Sequence, residues 1–479
     1  MTKQLPFIYL FKTFGEHYLY DVNKDTILRI PQRFFEFLTN YLKTSEYCVI
    51  NQKDETLFEE LCDQGFLSCN TVTEILHPVD DLIESYLDRK LRMITLQITQ
   101  LCNFNCSYCT YSQNTKNRKH SDLRMDINTA KKSIDFYIKH AVDMPRLHIG
   151  FYGGEPLIEF RLIKECIEYA KEKAEGKEIS FGITTNGSLI SDEVVDYFSQ
   201  NNVNLVISLD GPKEMHDKNR RFAGNNCGTF EVIMKNLEKI RNKYPEYYQK
   251  IMINAVIDPD NDFECSNEFF VSYDVIKDAQ ISMNLINDLY SDRKTKYNDD
   301  FNNKYDYEFF KCLLHKLNKL NHENISPYFL LNYEAMKQSL AHKKPVQGLM
   351  EKDHHSGPCV PGVQRPFVNV FGEIFPCERV SEVSKVMKIG HVETGFNIDK
   401  IRQILNVGKL TEESCKKCWA FRHCGLCAAH ADNIDELSSK KKLEYCGNMR
   451  RVVESKFKDY CTLYELGDSF EDGIKILSI

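Results

Sequence analysis

Three cysteines in the segment Leu101–Ser112 are spaced for metal chemistry. Cys102, Cys106 and Cys109 have three and then two residues between them, and they follow the apolar run Met93–Ile98. Three thiolates at this spacing can bind three irons of a cubane iron–sulfur cluster and leave the fourth iron open to a small molecule. A saturated cluster takes four cysteines, so the missing fourth cysteine indicates a cluster that reacts with a ligand. A zinc knuckle or a set of core thiols is the alternative interpretation.

A second set of cysteines lies in the C-terminal part of the chain. Its members are Cys359, Cys377, Cys415, Cys418, Cys424, Cys427 and Cys446. Seven thiol ligands are too many for one cluster, so the sequence predicts more than one metal group here. The stretch Cys415–Cys427, with the spacing C-x2-C-x5-C-x2-C, could instead form a structural zinc site.

The composition limits the function classes that remain. The 479 residues are 42% apolar, which is enough for about two to four domains. The net charge of −7 argues against a large nucleic-acid interface, because phosphate binding needs a basic surface. The sequence has no secretory signal and no long apolar run, so we expect a cytoplasmic protein without a membrane partner. In a reducing compartment, cysteines are interpreted as metal ligands, reactive thiols or core residues before disulfides.

The elements that must position the first cysteine loop alternate between apolar strands and amphipathic helices from Leu91 to about Asn287. The candidate strands are Met93–Ile98, Leu147–Tyr152, Ile179–Thr184, Val203–Leu209, Ile251–Ile257 and Ala279–Leu285. Such alternation predicts an α/β fold with a parallel sheet and right-handed crossovers. A partial (β/α)6 TIM-like barrel accommodates six repeats.

Polar motifs follow the first four of these strands. The cysteine loop follows the first strand, and Gly153-Gly154-Glu155-Pro156, Thr185-Asn186-Gly187 and Asp210-Gly211-Pro212 follow the next three. Because parallel strands end at the same edge of a sheet, we expect these motifs to lie together. The two glycines let backbone approach a charged head group closely, with Glu155 beside them to meet an ammonium.

The first 90 residues are predicted to form a separate module. The apolar runs Phe7–Lys12, His17–Val22 and Thr26–Ile30 predict a small antiparallel sheet, and Gln32–Lys43 and Glu55–Gln64 have helical patterns. A sheet with short helices suggests a winged-helix-like domain whose sheet edge could accept an extended peptide. A simple extension of the catalytic domain is the alternative.

The rest of the chain divides into three parts. Residues 91–300 form the predicted α/β core, and residues 301–357 contain the bridging helices Tyr307–Leu320 and Asn332–His342. Residues 358–479 contain the second cysteine set.

The cysteine loop, with Tyr108 just before its last cysteine, resembles that of the radical S-adenosylmethionine (SAM) enzymes. This resemblance implies that the open iron chelates SAM and that reductive cleavage releases a 5'-deoxyadenosyl radical. It also implies a GGE loop that holds the methionine amino group, with Ser208 facing the carboxylate and Asp210 the ribose. The cofactor-binding candidates are therefore Tyr108, Gly153, Gly154, Glu155, Asn186, Ser208, Asp210 and Arg220. Turn formation and ion pairing explain Asn186 and Arg220 equally well.

The second cysteine set resembles the SPASM domain of that superfamily, which opens with a C-x(9-15)-G-x4-C pattern. Here twelve residues separate Cys359 from Gly372. The resemblance implies that one auxiliary [4Fe-4S] cluster has four ligands, Cys415, Cys418, Cys424 and Cys446. The other would have only three, Cys359, Cys377 and Cys427, which brings the total to three clusters. The gap between Cys424 and Cys427 has two residues where the family often has three. A substrate thiolate, His354 or His355 could occupy the open position.

The layout of the first module is similar to the leader-recognition domains of enzymes that modify ribosomal peptides. Together these resemblances predict a maturase of the ranthipeptide or sactipeptide type that forms thioether bridges in a cysteine-containing precursor peptide. A flavodoxin or ferredoxin would supply electrons. The alternatives are formylglycine formation by an anaerobic sulfatase maturase, peptide epimerisation, carbon–carbon cross-linking and a non-enzymatic electron carrier. The sequence singles out no catalytic acid or base.

Overall fold

The computed structural model describes residues 5–44, 52–111, 116–277, 279–292, 294–340, 348–356, 359–468 and 474–479. Ser112, at the end of the predicted cysteine loop, lies outside these ranges. No helix in the described ranges has the length and apolar character needed to cross a membrane.

The N-terminal part forms an antiparallel sheet followed by helices. Its elements are β1 (Ile8–Lys12), β2 (His17–Asp21), β3 (Thr26–Ile30), α1 (Gln32–Thr44), α2 (Gln52–Asp63), β4 (Glu74–Ile75) and α3 (Ile83–Arg89). The strands pair in chain order. Helix α1 turns Phe34, Phe37 and Leu38 into a small core between the helices and the sheet. The three strands and two helices predicted here are confirmed, while the winged-helix interpretation stays a prediction.

The middle of the chain alternates strands and helices as predicted. Its elements are β5 (Ile94–Thr99), α4 (Ile127–His140), β6 (Arg146–Gly153), α5 (Phe160–Lys173), β7 (Glu178–Thr185), α6 (Asp192–Gln200), β8 (Val203–Ser208), α7 (Lys213–Asn219), α8 (Phe230–Lys243), α9 (Pro245–Tyr248), β9 (Met252–Ile257), α10 (Phe263–Ser272) and β10 (Gln280–Leu285). Strands β5 to β10 are parallel and adjacent in chain order. All six lie within one residue of their predicted bounds.

Burial explains why these strands could be recognised. Strand β5 is buried at all six positions, and β6 at five of its eight. A parallel strand covered by helices on both faces needs a nearly continuous apolar run, and the sequence supplies it. Helices α4 and α6 begin at side-chain caps: Asp126 accepts from the amides of Asn128 and Thr129 before α4, and Ser191 accepts from the Val194 amide before α6.

The C-terminal part extends both sheets. Its elements are α11 (Asp299–Lys316), α12 (Pro327–Leu340), β11 (Lys352–Asp353), β12 (Phe367–Val368), β13 (Glu373–Phe375), β14 (Gly390–His391), β15 (Gly395–Phe396), α13 (Ile398–Leu405), α14 (Glu412–Lys416), α15 (Ser439–Glu465) and β16 (Lys475–Ser478). Strand β12 pairs in parallel with β5, and β13 to β15 continue the main sheet. Strand β16 pairs in parallel with β3.

The N-terminal sheet lies against the cysteine-rich block. The ring of Tyr9 stacks on Trp419, with centroids 3.7 Å apart, and the Arg422 side chain donates to the backbone oxygen of Val22 at 2.7 Å. The imidazole Nε2 of His423 lies 2.9 Å from the carboxylate of Asp25. These contacts join the module predicted to dock a peptide to the loop between Cys418 and Cys424.

The anchoring of β16 generates a stability prediction. Ile474 is 1% exposed, its amide donates to the oxygen of Leu340, and its own oxygen accepts from the Tyr460 hydroxyl. Ile474→Ala should cost about 2–5 kcal/mol because it removes buried methyl groups and leaves a cavity. Leu477→Ala, in the same segment but 42% exposed, is the matched control and should change little. Thermal unfolding followed by circular dichroism measures both, and equal losses would contradict the placement of Ile474 in the core.

Candidate functional site

The first cysteine loop leaves the carboxyl end of β5 and is fixed by backbone hydrogen bonds. The amide of Asn105 donates to Arg221 at 2.9 Å, and that of Ser107 donates to Asn219 at 3.0 Å. Burial raises the pKa of the Cys102 thiol, and the neighbouring thiols of Cys106 and Cys109 add to that shift. The structure therefore brings the three predicted cysteines together.

The two glycines after β6 contact this loop directly. The amide of Gly154 donates to the oxygen of Thr99, and that of Glu155 donates to the oxygen of Leu101, both at 2.8 Å. A Cβ atom on Gly154 would lie 2.0 Å from the oxygen of Leu101, and one on Gly153 would lie 2.1 Å from that of Thr99. Gly153 also has a φ of 146°, which disfavours other residues. The close approach seen here is to the chain's own backbone, so a ligand role for these glycines stays a prediction.

The Glu155 side chain joins the ends of β6 and β7. It is 1% exposed, and its carboxylate accepts from the Leu157 amide at 3.0 Å, the Thr185 hydroxyl at 2.6 Å and the Asn186 amide at 2.7 Å. Burial raises the pKa of this carboxyl, and the three donors oppose the shift. A ligand ammonium would have to share a carboxylate that already has these partners.

Asn186 connects β7 to the cysteine loop. Its side-chain amide donates to Asn103 at 2.8 Å, and the amide of Asn103 donates to the Ser188 hydroxyl at 2.9 Å. Asn103 lies between Cys102 and Cys106, so this chain of hydrogen bonds holds the middle of the loop. The sequence offered Asn186 as a cofactor contact, and the observed contact is a structural one.

A buried ion pair supports the loop from the side of β8. Asp210 accepts from Nε of Arg220 at 2.9 Å, from the Tyr108 hydroxyl, and from the Val256 amide at 3.0 Å. Arg220 is only 7% exposed and its guanidinium lies over the Tyr108 ring. Burial raises the pKa of the Cys106 thiol, and the nearby Arg220 cation partly opposes this rise, so that the pKa is about 12. Asp210, expected to face a ribose, is thus engaged by Arg220 and Tyr108.

Ser208, the remaining predicted contact of the cofactor, ends β8 two residues before Asp210 and is 7% exposed. The candidates from four consecutive strands therefore gather at one edge of the sheet, as the parallel topology requires.

A cavity of about 220 Å³ lies in the C-terminal part. Its lining includes four cysteines, Cys415, Cys418, Cys424 and Cys446, together with His355, Lys442 and Arg450. These four are the cysteines assigned to one auxiliary cluster from the sequence. Four thiols around one cavity have the chemistry that an iron–sulfur cluster requires. Among the described residues, no group of three or more His, Cys, Asp or Glu side chains converges on a single-ion site.

The other three cysteines form a separate group. Burial raises the pKa of the Cys359 thiol and raises that of Cys377 to about 12. The neighbouring Cys427 adds to the rise at Cys359, and Cys359 adds to the rise at Cys377. These are the three cysteines assigned to the second auxiliary cluster from the sequence, and that assignment stays a prediction. Arg365 lowers the pKa of both thiols and lies 3.3 Å from Glu378.

The two histidines considered for the open position differ in their surroundings. His354 uses both ring nitrogens on backbone groups, 2.9 Å from the oxygen of His355 and 2.9 Å from the amide of Gly408. His355 lines the four-cysteine cavity instead. His354 therefore contacts backbone groups, and His355 lies beside the four-cysteine group.

Sequence reasoning missed a buried network that links the first loop to the C-terminal part. Arg118 and Glu382 form an ion pair at 2.6 Å, with side chains 7% and 4% exposed. Gln97, on β5, donates to the same carboxylate at 2.5 Å. The Arg118 guanidinium lies 3.7 Å from the centroid of Tyr111, two residues after Cys109. No local signal marks these residues, because the partners are 264 positions apart.

Comparison with known proteins identifies the domain around the first loop. Residues 96–267 match the model of the Radical SAM superfamily. A cysteine-type anaerobic sulfatase-maturating enzyme of Clostridium perfringens is 24% identical over 372 residues, covering 74% of this chain and 93% of the relative. The radical SAM cyclopropyl synthase TigE of Paramaledivibacter caminithermalis is 27% identical over 259 residues, covering 49% of this chain and 52% of the relative.

Solved structures give the same fold. Native anSMEcpe with bound AdoMet has a TM-score of 0.57 at 20% identity, covering 78% of this chain and 98% of that one. The alignments of four curated relatives with this chain span only 40 to 52% of those relatives' own lengths. The chain therefore contains a radical SAM domain and is homologous to the anaerobic sulfatase maturases. Members of this superfamily use SAM and a [4Fe-4S] cluster, which the three grouped thiols of the first loop fit.

The close contact at Gly154 generates a prediction about cluster retention. Gly154→Ala should displace the cysteine loop, because its methyl group would overlap the backbone of Leu101. We expect the reconstituted variant to lose the iron of one cluster and its SAM-dependent change in the electron paramagnetic resonance (EPR) spectrum. Gly224→Ala, where no atom lies within 4 Å of the added carbon, is the control. Normal iron content and SAM response in Gly154→Ala would contradict the contact.

The buried ion pair generates a second prediction. Arg220→Met leaves the Asp210 carboxylate buried without its cation, which should cost about 3–5 kcal/mol. Arg161→Met, which removes an exposed cation paired with Glu165, should leave the melting temperature of the apo protein nearly unchanged. Thermal unfolding of the apo proteins makes the comparison, and similar small shifts in both would show that the buried pair contributes little.

Proposed function

We propose that this protein is a radical SAM enzyme that installs thioether cross-links in a ribosomally made peptide. The observation that carries the proposal is the separation of ten cysteines into three groups, two of which have only three thiols each. A four-thiol group can saturate a cluster, whereas a three-thiol group leaves one metal position for another ligand. Two such incomplete groups in one chain suit a reaction that joins two ligands, SAM and a substrate sulfur.

Cys102, Cys106 and Cys109 would hold the cluster that binds SAM. When bound and reduced, such a cluster would supply the electron for SAM cleavage, and the resulting radical would be able to remove hydrogen from an unactivated carbon. The chain's own part is to fix the loop, through the Thr99 and Leu101 backbone contacts, and to hold Arg220 beside Cys106.

Cys359, Cys377 and Cys427 would hold an auxiliary cluster with an open position. A peptide cysteine fits that position by its chemistry, because metal coordination deprotonates a thiol and fixes the sulfur. Arg365, which favours the thiolate form of Cys359 and Cys377, would also favour an incoming thiolate.

The overall reaction replaces one C–H bond and one S–H bond with one C–S bond. One hydrogen leaves the carbon as an atom and goes to the adenosyl radical, and the thiol proton goes to solvent. One electron would be left over, and an auxiliary cluster held by the C-terminal cysteines would be able to accept it. A flavodoxin or ferredoxin is the class of partner that would supply the first electron.

The N-terminal sheet would dock the leader part of the peptide. In the described residues the sheet has two outer strands, β1 and β16, and an outer strand presents backbone groups that an extended peptide can pair with. Docking would raise the local concentration of the peptide core near the cysteine groups. The contacts of this sheet with Trp419, Arg422 and His423 support such a role, since they join it to the cysteine block.

Formylglycine formation on a sulfatase is the second candidate. It is favoured by the alignment that spans 93% of a sulfatase-maturating enzyme. Carbon–carbon bond formation is a third candidate, because the chain also resembles a cyclopropyl synthase. All three reactions share SAM cleavage and a peptide or protein substrate, so the product must distinguish them.

The deciding experiment is an anaerobic incubation of the reconstituted protein with SAM, reductant and one of two peptides. The first is a cysteine-containing peptide preceded by a leader segment, and the second is a cysteine-containing sulfatase-motif peptide. We expect the first peptide to lose two hydrogens per bridge, with the bridged thiols no longer alkylable, as read by intact mass. The Cys106→Ala variant is the control and should yield neither 5'-deoxyadenosine nor product.

Other products would contradict the thioether proposal in distinct ways. An aldehyde on the sulfatase-motif peptide, trapped by a hydrazide, would support the sulfatase-maturase candidate. Loss of two hydrogens with every thiol still alkylable would support carbon–carbon bond formation. No SAM cleavage by the fully loaded protein would remove all three candidates and favour an electron carrier.

A further inference from the structure

Lys442 is a buried cation in the wall of the four-cysteine cavity. It is 1% exposed, and its Nζ donates to the Thr411 hydroxyl at 2.8 Å and to the sulfur of Cys415 at 3.4 Å. The Thr411 hydroxyl lies 3.2 Å from the same sulfur. The ammonium is therefore aimed at one of the four thiols by a second hydrogen bond that fixes its position.

The ammonium of Lys442 is not paired with a carboxylate in the described part of the chain. None of the described carboxylates forms a salt bridge with it, and the other basic side chains in the cavity wall are His355 and Arg450. Burying an ammonium is costly unless an opposite charge compensates for it. The cysteine sulfurs of the cavity would supply that opposite charge when they bind a cluster as thiolates.

Arg450 also lines the cavity, but its surroundings differ. Arg450 is exposed, so water screens its charge, whereas Lys442 acts through a buried medium in which charges interact more strongly. Of the two cations, Lys442 should have the larger effect on a charged group in the cavity.

We propose that Lys442 is a positioning residue that raises the reduction potential of the cluster held by Cys415, Cys418, Cys424 and Cys446. The inference rests on the proposed function, since it requires that cluster. Reduction adds one negative charge to a cluster that is already negative. A buried cation and a hydrogen bond to a ligand sulfur both favour the reduced state. A cluster tuned upward in this way is suited to accept the electron left over when a C–S bond forms.

The test compares three variants of the full chain after anaerobic reconstitution: Lys442→Met, Lys442→Arg and the control Lys440→Met. Lys440 is exposed on the same helix, so its variant removes the same charge from a solvated position. The reduction potential is read by EPR-monitored titration of the signal that is absent in a Cys418→Ala variant. We expect Lys442→Met to lower the one-electron reduction constant at least tenfold, a shift of 59 mV or more. Lys442→Arg keeps the cation and should therefore keep most of the parent's reduction potential. Lys440→Met should have the same reduction potential as the parent.

A second measurement, on the apo proteins, does not depend on cluster loading. Without the cluster, the buried ammonium has lost its compensating charge, so apo Lys442→Met should melt at a higher temperature than the apo parent. A purely structural role for Lys442 would give the opposite sign. A lower melting temperature of apo Lys442→Met would therefore overturn the proposal even if this variant failed to hold the cluster.

The results distinguish a failure of the assignment to Lys442 from a failure of the auxiliary cluster. A loaded Lys442→Met variant with the parent's potential would overturn the assignment to Lys442 and leave the cluster in place. A parent protein with no signal that depends on Cys418 would overturn the auxiliary cluster itself, and the inference with it.

Discussion

The contact on which the candidate site depends is the backbone approach between the β6–α5 connection and the cysteine loop. Gly153 and Gly154 bring two amides within 2.8 Å of the oxygens of Thr99 and Leu101, where any side chain would overlap that backbone. The loop can hold three thiols at fixed positions only because its first residues are hydrogen-bonded to the neighbouring strand end. Glu155 and Asn186 extend this arrangement to β7, and Asp210 with Arg220 extends it to β8. Four consecutive strands thus converge on one loop.

A basic side chain lies beside the thiols of each cysteine group. Arg220 lies beside Cys106, Arg365 beside Cys359 and Cys377, and Lys442 beside Cys415. Burial alone raises the pKa values of most of these thiols and would disfavour thiolates. Each cation opposes that effect, so the chain is prepared for negatively charged groups at three separate places. The N-terminal sheet packs on the third of them, which places the predicted peptide-docking module next to the four-cysteine cavity.

Much of this could be predicted from local sequence. The six parallel strands were recognisable because strands covered on both faces require continuous apolar runs, and the motifs at their ends follow from the topology. The division of the C-terminal cysteines between two clusters stays a prediction, and four of them line one cavity. Long-range pairings could not be predicted. Strand β16 joins β3 across almost the whole chain, and Lys442 belongs to the run Lys440–Lys442, which resembles a solvated helix face. Its burial depends on the phase of α15 against Thr411.

The central claim is that a radical generated at the first cysteine loop removes hydrogen from a carbon of a peptide substrate. The most direct measurement uses a precursor peptide uniformly deuterated at carbon and analyses the 5'-deoxyadenosine formed from unlabelled SAM by mass spectrometry. The account predicts one singly deuterated 5'-deoxyadenosine molecule for each thioether bridge formed in the peptide. Unlabelled 5'-deoxyadenosine formed alongside a modified peptide would contradict it, because the hydrogen would then have come from another source.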